Sequence, residues 1–261
     1  MTITTYPPIA GSTNSTTTAP WNMQVARGKV TGATSINIFA SSDNVKTGTP
    51  QTLWELTGTT SYAFPTSAQQ MHVVSTSASD NGGSYIIISG IDASWDFQLE
   101  TIAMNGTTVV TTTKSFLRIN SVAFTPTTGQ TSNVGTITVK NIANTITYAQ
   151  ITATYGRTAM SLYSVPVGFT LFVNAINIYS GDASGNSNWV IYRARTINNA
   201  LMPPSTVTAL DTTFGGVYSV TRTNPFPYTE KSDVQWQFAT NTGTHSVGLI
   251  LEGVLLSNTA P

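Results

Sequence analysis

Alternation of apolar and polar side chains with a period of two residues limits the fold of this 261-residue chain more than any other feature. Ile36 and Ile38 alternate with polar neighbours, and Val234, Trp236 and Phe238 do the same near the C-terminus. Successive side chains of a strand point to opposite faces of a sheet, so this pattern predicts strands. Residues that favour strands dominate, and neither a long helical period nor an alternation of strands with helices is present. We therefore predict an all-β protein.

Further segments carry the same pattern. Residues 21–25 alternate Trp, Met and Val with Asn and Gln, and residues 97, 99 and 101 are expected to lie along one face of a strand. The unbroken apolar run 85–88 predicts a central strand that is buried on both faces.

Turn-forming residues separate these runs at short intervals. Asn105 and Gly106 fit a two-residue type I′ hairpin turn, because both tolerate the positive φ angles that this turn requires. The segments 80–83, 185–186 and 242–243 predict other turns. Many short strands at short spacing are typical of sandwiches and barrels.

The chain divides into three predicted parts. Residues 1–20 are rich in Thr, Ser and Pro and predict an extended N-terminal arm, which either straps a neighbouring subunit or is a free terminus. The small, polar segment 141–145 fits a linker or a turn. We therefore predict an N-terminal β domain over residues 21–145 and a C-terminal β-sandwich domain over residues 146–261.

Charged residues make up only 8% of the chain, against about 25% in a typical globular domain. The 11 basic and 11 acidic residues cancel, so the surface has little self-repulsion and favours association. No basic run is present to bind a nucleic-acid backbone, and no apolar stretch approaches the about 18 residues of a membrane span. The first residues lack the pattern of a secretory signal. These features favour a subunit of a permanent assembly.

Few residues have the chemistry of a metal or cofactor site. His72 and His245 are the only histidines, the chain has no cysteine, and no metal-binding motif is present. Asp80, Asn81 and Asp182 lie in polar loops where calcium could bind, but no EF-hand spacing supports this and turn formation explains them more simply. Gly215-Gly216 lacks the lysine and the following helix of a phosphate-binding loop. We predict no metal and no cofactor.

Paired carboxylates are the best enzymatic candidate. Asp92 and Asp96 flank Trp95, and Glu100 follows, so on one strand the three acids would share a face and could serve a glycosidase. The alternative is that Asp92 accepts hydrogen bonds from the backbone in a turn. No GxSxG motif is present, and a catalytic triad assembled from distant residues would have only two histidines to use as its base. We expect a protein that is not an enzyme.

Seven short segments follow one another in a characteristic order: VVSTSASD (73–80), YIIIS (85–89), GIDA (90–93), ETIAMNGTT (100–108), SFLRIN (115–120), YSVPVGFT (163–170) and PYTEKSDV (227–234). This order resembles virion structural proteins of tailed bacteriophages, especially those of marine and cyanobacterial hosts, and the resemblance covers roughly residues 20–257. It implies a jelly-roll or related sandwich in the second half and a place on the virion. Capsid decoration (cement), head-fibre and tail positions all remain open.

From these features we expect a capsid cement or decoration protein that is made in the host cytoplasm, binds across major capsid subunits or other virion proteins, and forms a homo-oligomer, with a trimer favoured. The alternatives are a tail or head-fibre adhesin that binds a host glycan through exposed aromatic residues, and a polysaccharide depolymerase. The predicted contact residues lie in the arm and in an apolar loop with two prolines: Tyr6, Pro7, Pro8, Pro225, Phe226, Pro227 and Tyr228.

Overall fold

The structure is a computed structural model that describes residues 19–181, 189–197, 210–213 and 216–259. Residues 1–18 of the predicted arm and the predicted turn at 185–186 lie outside the described residues. The regular secondary structure of the described parts consists of strands and one six-residue helix, so the all-β prediction is confirmed. The elements are α1 (Trp21–Ala26), β1 (Ala33–Lys46), β2 (Gln51–Thr52), β3 (Met71–Ser75), β4 (Tyr85–Ile91), β5 (Phe97–Ala103), β6 (Val110–Thr111), β7 (Arg118–Thr125), β8 (Ile137–Asn141), β9 (Thr147–Ile151), β10 (Leu162–Ser164), β11 (Phe169–Gly181), β12 (Trp189–Ile197), β13 (Leu210–Thr213), β14 (Gly216–Tyr228), β15 (Asp233–Thr240) and β16 (Thr244–Ser257).

Two of the sheets share one hydrophobic core, and we call them the outer unit. One sheet has the strand order β1-β16-β11-β14, and the other has the order β10-β15-β12-β13, with β2 also paired to β15. Strand β10 pairs with residues 233–235 of β15 and β2 pairs with residues 237–238, so the two short strands pair with successive parts of β15. Trp236, Phe238 and Tyr192 are fully buried in this core.

The other two sheets, which share a second core, form the inserted unit. Their strand orders are β6-β3-β8-β9 and β5-β4-β7. Met71, Ile86, Ile88, Phe116 and Ile137 are fully buried between them. The chain leaves the outer unit after β2, builds the inserted unit with β3 to β9, and returns at β10.

The division into these units differs from the predicted boundary at residues 145 and 146. Strand β1 pairs with β16 from Ala33↔Leu256 to Lys46↔Thr244, so the outer unit uses both ends of the chain. Of the linker and the turn predicted for 141–145, the segment is the turn: it joins β8 and β9 as a hairpin, and the side chain of Asn141 accepts the N–H groups of Thr145 and Ile146. Small polar residues suit a linker and a hairpin turn alike, so the composition of 141–145 does not distinguish the two. The pairing of β1 with β16 joins distant segments and leaves no local signal in the sequence.

The strand predicted at residues 21–25 is the short helix α1. Its first hydrogen bond runs from the Gln24 N–H to the Pro20 carbonyl at 3.1 Å. Val25 packs against Ala33 and Val254, whereas Met23 is 57% exposed. Five alternating residues do not distinguish a strand from one helical turn, and the buried Gln24 breaks the expected pattern.

Strand β4 is central, as predicted, but it is buried on one face only. It lies between β5 and β7, with Ile86 and Ile88 in the core. Tyr85 and Ile87, on the other face, are exposed. In contrast, all eight residues of β15 are buried, including the polar ones that alternate with its core side chains.

The turn at Asn105 and Gly106 does not close a hairpin, contrary to the prediction. It joins β5 and β6, which belong to different sheets. Gly106 has a φ of 58°, and a Cβ atom there would lie 3.0 Å from the Cα of Ala78. Glycine is needed here for a crossing between sheets, not for a type I′ turn. The turn at 242–243 joins β15 to β16 as predicted.

A buried ion pair joins the two units. Nε and Nη2 of Arg118, on β7, donate to the two carboxylate oxygens of Asp233, on β15, both at 2.8 Å. The side chain of Arg118 is 11% exposed and that of Asp233 is 2% exposed. The planar guanidinium matches the carboxylate with two parallel hydrogen bonds, which fixes orientation as well as distance.

Neighbouring groups complete this junction. Ser164 Oγ donates to Asp233 at 2.5 Å, and the Ser164 N–H donates to Asn120 Oδ1 at 2.8 Å. The Arg118 guanidinium also lies 4.9 Å from the ring centre of Phe64 and 5.1 Å from that of Trp95. A buried pair stabilises a structure only when its remaining donors and acceptors are satisfied, and this one meets that condition.

We expect Arg118→Met to lower the free energy of unfolding by about 3–5 kcal/mol, because it leaves Asp233 buried without its partner. Urea unfolding at pH 7 measures the change. The double variant Arg118→Met with Asp233→Leu should lose much less free energy of unfolding than the sum of the losses in the two single variants. Glu252→Gln, on the exposed face of β16, is the matched control and should change stability by less than about 0.5 kcal/mol. A loss below about 1 kcal/mol for Arg118→Met would contradict the role of this pair.

Candidate functional site

The predicted contact residues fall in two places. Tyr6, Pro7 and Pro8 lie outside the described residues. Residues 225–228 end strand β14 and do not form the predicted loop. Strand β14 lies at the edge of its sheet, where proline is tolerated because no ladder partner needs its missing N–H.

The aromatic residues of this segment face the interior of the outer unit. Tyr228 is 3% exposed and its ring centre lies 6.0 Å from that of Trp236. Phe226 is half-buried and packs against the same core. These two side chains therefore fill the core, and a contact role for the segment rests on the half-buried Pro225 and Pro227.

The three candidate carboxylates do not converge. Asp92 Oδ1 accepts the N–H groups of Ser94 at 2.8 Å and Asp96 at 3.0 Å, so the interpretation of Asp92 as a turn residue is confirmed. Glu100 lies on β5, is buried, and accepts the N–H groups of Thr113 and Lys114. The prediction that the three acids share one strand face is wrong, since Asp92 and Asp96 precede β5.

The other polar candidates are bonded within the protein. His72 Nδ1 lies 3.1 Å from Asn144 Oδ1, and His245 Nε2 lies 2.6 Å from the Thr242 carbonyl oxygen. Asp80 is fully buried and accepts a hydrogen bond from Ser75 and two from backbone N–H groups of residues 134 and 135. Asp182 and Gly215 lie outside the described residues. Among the residues that the structure describes, no three His, Asp or Glu side chains lie close enough together to hold a metal ion.

One face of the inserted unit exposes large apolar side chains. Tyr85 and Ile87 of β4 are 41% and 36% exposed, and Phe97 and Leu99 of the neighbouring β5 are both 48% exposed. The two strands are paired in register from Tyr85↔Ala103 to Ile91↔Phe97, so the four side chains lie on adjacent strands of one sheet. We call this set the apolar face.

A groove runs beside the apolar face, where the inserted unit meets strand β1. Its volume is about 220 Å³, and its walls include Phe39 of β1, Phe97 of β5 and Asn120 of β7. The Arg157 guanidinium lies 5.0 Å from the ring centre of Phe39. Aromatic, amide and guanidinium groups therefore meet at the junction of the two units.

A separate pocket lies where the chain passes between the two units. Its volume is about 360 Å³, and it is lined by residues 41–44, 54–57 and 59 on one side and by Thr152, Tyr155 and Ala159 on the other. Glu55 lies in its wall, and Glu55 Oε1 accepts the Ala159 N–H at 2.7 Å. The side chain as a whole is half-buried, but Oε2 is inaccessible and has no hydrogen-bond partner among the described residues.

Burial raises the pKa of Glu55 from 4.5 to about 7, and hydrogen bonding to the backbone N–H groups of Ala159 and of Glu55 itself offsets part of this effect. A carboxyl group in such a place is held with a proton at a pH where an ordinary glutamate is ionised.

Neither the apolar face nor Glu55 is among the functional residues predicted from the sequence. The alternation of residues 97–101 was visible, but alternation does not say which face is covered by another sheet. The sequence Trp54-Glu55-Leu56 puts a lone carboxylate between two apolar residues, and this was the available signal.

Comparisons with known proteins do not assign a family. No family model matches the chain, and no curated protein matches it. A structure of infectious bursal disease virus, Gx strain, has 9% identity and a TM-score of 0.22, covering 92% of this chain and 77% of the viral chain. Within the parts of the chain that the structure describes, no helix is long and apolar enough to cross a membrane.

We expect the stability of the protein to fall as the pH rises from 4.5 to about 7, since the folded state binds a proton at Glu55 that the unfolded state releases. The loss is up to about 3 kcal/mol, at about 1.4 kcal/mol for each unit of pKa change. In Glu55→Gln this part of the pH dependence should be absent, so the variant gains stability over the parent protein between pH 5 and pH 8.

Urea unfolding of the parent protein and of Glu55→Gln, each at pH 5 and at pH 8, measures the difference in the free energy of unfolding. Glu252→Gln, which removes an exposed carboxylate, should keep the parent's pH dependence. An equal pH dependence in the parent and in Glu55→Gln would contradict the assignment to Glu55.

Proposed function

We propose that this chain is a non-enzymatic structural subunit of a bacteriophage virion, most directly a capsid cement or decoration protein. The observation that carries the proposal is the apolar face of Tyr85, Ile87, Phe97 and Leu99. Ile87 and Leu99 occupy diagonal positions on adjacent strands, with Tyr85 and Phe97 towards the two ends of the strand pair, and large apolar side chains exposed together on one sheet mark a site of protein association.

The charge of the chain supports the same function. With 8% charged residues and no net charge, the surface offers little electrostatic repulsion between copies.

Leu99 stands opposite Ser89, and Ile87 stands opposite Thr101, so the apolar face carries small hydroxyl groups between its large side chains. Such groups form hydrogen bonds across a contact without the cost of burying a charge.

We also propose that the outer unit is a jelly roll. Its strands occupy two sheets of four positions, with β2 and β10 sharing one position beside β15. Successive strand positions switch between the sheets except at β12 and β13, which pair with each other: β1, β11, β14 and β16 belong to one sheet, and β2, β10, β12, β13 and β15 to the other. Eight strand positions in two facing sheets are typical of jelly rolls, which are found in viral capsid proteins and in lectins.

Fold does not decide function, and the jelly roll only supports the proposal. The proposed location on a virion rests on the resemblance of the segments 73–80, 85–93, 100–108, 115–120, 163–170 and 227–234 to virion structural proteins of tailed phages, which have capsid, head-fibre and tail positions alike. The partners we propose are the major capsid protein, other virion proteins and further copies of this chain, with a trimer as the expected oligomer.

Substitution of Leu99 by lysine tests the apolar face. The variant should weaken self-association of the full chain by at least about tenfold, because a buried contact would have to desolvate the new charge. Sedimentation velocity over a range of protein concentrations gives the oligomeric state. Thr223→Lys, at an exposed position of β14, adds the same charge elsewhere and should leave association unchanged. A parent protein that is monomeric at all concentrations, or equal effects of the two variants, would contradict self-association through this face.

The location on the particle is tested by gold-labelled antibodies against the chain on intact virions. Label over the DNA-filled head supports a cement or decoration protein. Label confined to tail fibres would contradict it and would favour the glycan-binding adhesin.

A further inference from the structure

Strand β1 has an edge that no other strand of the described structure covers. It is the first strand of the sheet β1-β16-β11-β14 and pairs on one side with β16. On its other side, the backbone groups of residues 35–39 form no hydrogen bond with any described residue. An edge strand directs the N–H and C=O groups of every second residue away from its neighbour, so this edge offers donors and acceptors to an added strand.

The first ten residues of β1 lack the features that protect a sheet edge from pairing. Charged side chains, prolines, bulges and short length usually serve this purpose. β1 has 14 residues, contains neither proline nor a charged residue between Ala33 and Ser42, and has its bulge only after Ser42. The opposite edge of the same sheet, β14, contains Pro225 and Pro227. The two edges therefore differ, and β1 is the one suited to accept a strand.

The groove of about 220 Å³ gives an added strand room beside this edge. All five residues 35–39 line the groove, although their side chains alternate between the two faces of the sheet. The groove therefore follows the edge of the strand and does not lie over one face. Phe97 and Ser121 of the inserted unit contribute to its walls, and among the residues that line it Arg157 alone is charged. A segment without charged side chains fits such a groove, because no charge has to be desolvated.

The first residues of the chain itself have the chemistry of such a strand. Residues 2–6, Thr-Ile-Thr-Thr-Tyr, all favour strands, and residues 1–18 include no charged side chain. Pro7 and Pro8 lack the N–H group that a longer pairing would need, so they limit the strand to the residues before them.

Distances place these residues on a second copy rather than on their own β1. The described chain begins at Ala19, directly before α1, and α1 packs at the start of β1 through Val25 and Ala33. From Ala33 to Phe39 the strand advances six residues, or about 20 Å. Tyr6 precedes Ala19 by 13 residues, which span up to about 45 Å when extended. An extended arm therefore passes its own groove, and its first residues reach the edge of a neighbouring subunit.

We propose that residues 2–6 of one copy pair with residues 35–39 of β1 in a second copy as an added strand, with the Tyr6 ring in the groove beside Phe39. The inference rests on the proposed function as an assembly subunit and names the contact that joins its copies. Each copy has one arm and one free edge, so the contact is heterologous and closes into a ring, as the proposed trimer requires.

Crosslinking of full-length chains tests the pairing, because the chain has no cysteine of its own. Thr4→Cys and Asn37→Cys are prepared separately with tags of different mass, mixed, and treated with a short bis-maleimide. The mixture should give a crosslinked heterodimer with one chain of each kind. In the control, Thr223→Cys, at an exposed position of β14, replaces Asn37→Cys and should give at least about tenfold less heterodimer, since its thiol is not held near the arm.

A synthetic peptide of residues 1–12 serves as the competitor and should suppress the heterodimer. Two modified peptides test whether the backbone pairs: one is N-methylated at Ile3 and Thr5, the other at Thr4 and Tyr6. A strand added to an edge donates to it from every second N–H group, so one of the two methylated peptides should compete at least about tenfold more weakly than the other.

Several results would overturn the proposal. Equal yields of heterodimer with Asn37→Cys and Thr223→Cys would show that the arm does not select this edge. Crosslinks only within single chains of the double variant Thr4→Cys with Asn37→Cys, and none between mixed chains, would place the arm on its own subunit. Equal competition by the two methylated peptides would exclude strand pairing. If Asn37→Cys does not fold, Ser35→Cys carries the test. These experiments use the chain alone with Leu99 intact, so their outcome is separate from that of Leu99→Lys and of the labelled virions.

Discussion

The bidentate bond between Arg118 and Asp233 sets the relation between the two halves of the molecule. It joins β7 of the inserted unit to β15 of the outer unit, and Ser164 and Asn120 bond around it. Because β15 is buried on both faces, its polar side chains need partners within the protein, and Asp233 has its partners at this junction. Burial of a charge pair fixes geometry more than it adds stability, and a fixed geometry is what a structural subunit requires.

The fixed junction also positions the candidate sites. The apolar face lies on the β4 and β5 strands of the sheet whose third strand, β7, carries Arg118, so its orientation to the outer unit follows from the ion pair. The groove at Phe39 and Phe97 and the pocket at Glu55 both lie between the units, and both would change shape if the units moved. The spacing of these surfaces is therefore set by the protein itself rather than by a flexible linker.

Much of the strand content followed from the sequence, because alternation at Ile36 and Ile38 or at Trp236 and Phe238 depends only on local burial. The pairing of β1 with β16 could not be predicted, since it joins residues from 198 positions (Lys46 with Thr244) to 223 positions (Ala33 with Leu256) apart that carry no mutual signal. The helix at Trp21 was missed, and the segment at Asn141 was left open between a linker and a turn, because short segments fit two structures equally well. The apolar face was missed for a different reason: Tyr85 and Ile87 look like core residues unless the position of the second sheet is known.

Hydroxyl-radical footprinting of the chain, free and in its native assembly, is the most direct test of the central claim that the apolar face is a contact surface. The account predicts that Tyr85, Phe97 and Leu99 react several-fold more slowly in the assembly, because a partner covers them. Tyr179 and Met23, which are also exposed in the described structure and lie elsewhere, provide the comparison. Equal reaction of Tyr85, Phe97 and Leu99 in the free chain and in the assembly would contradict the account.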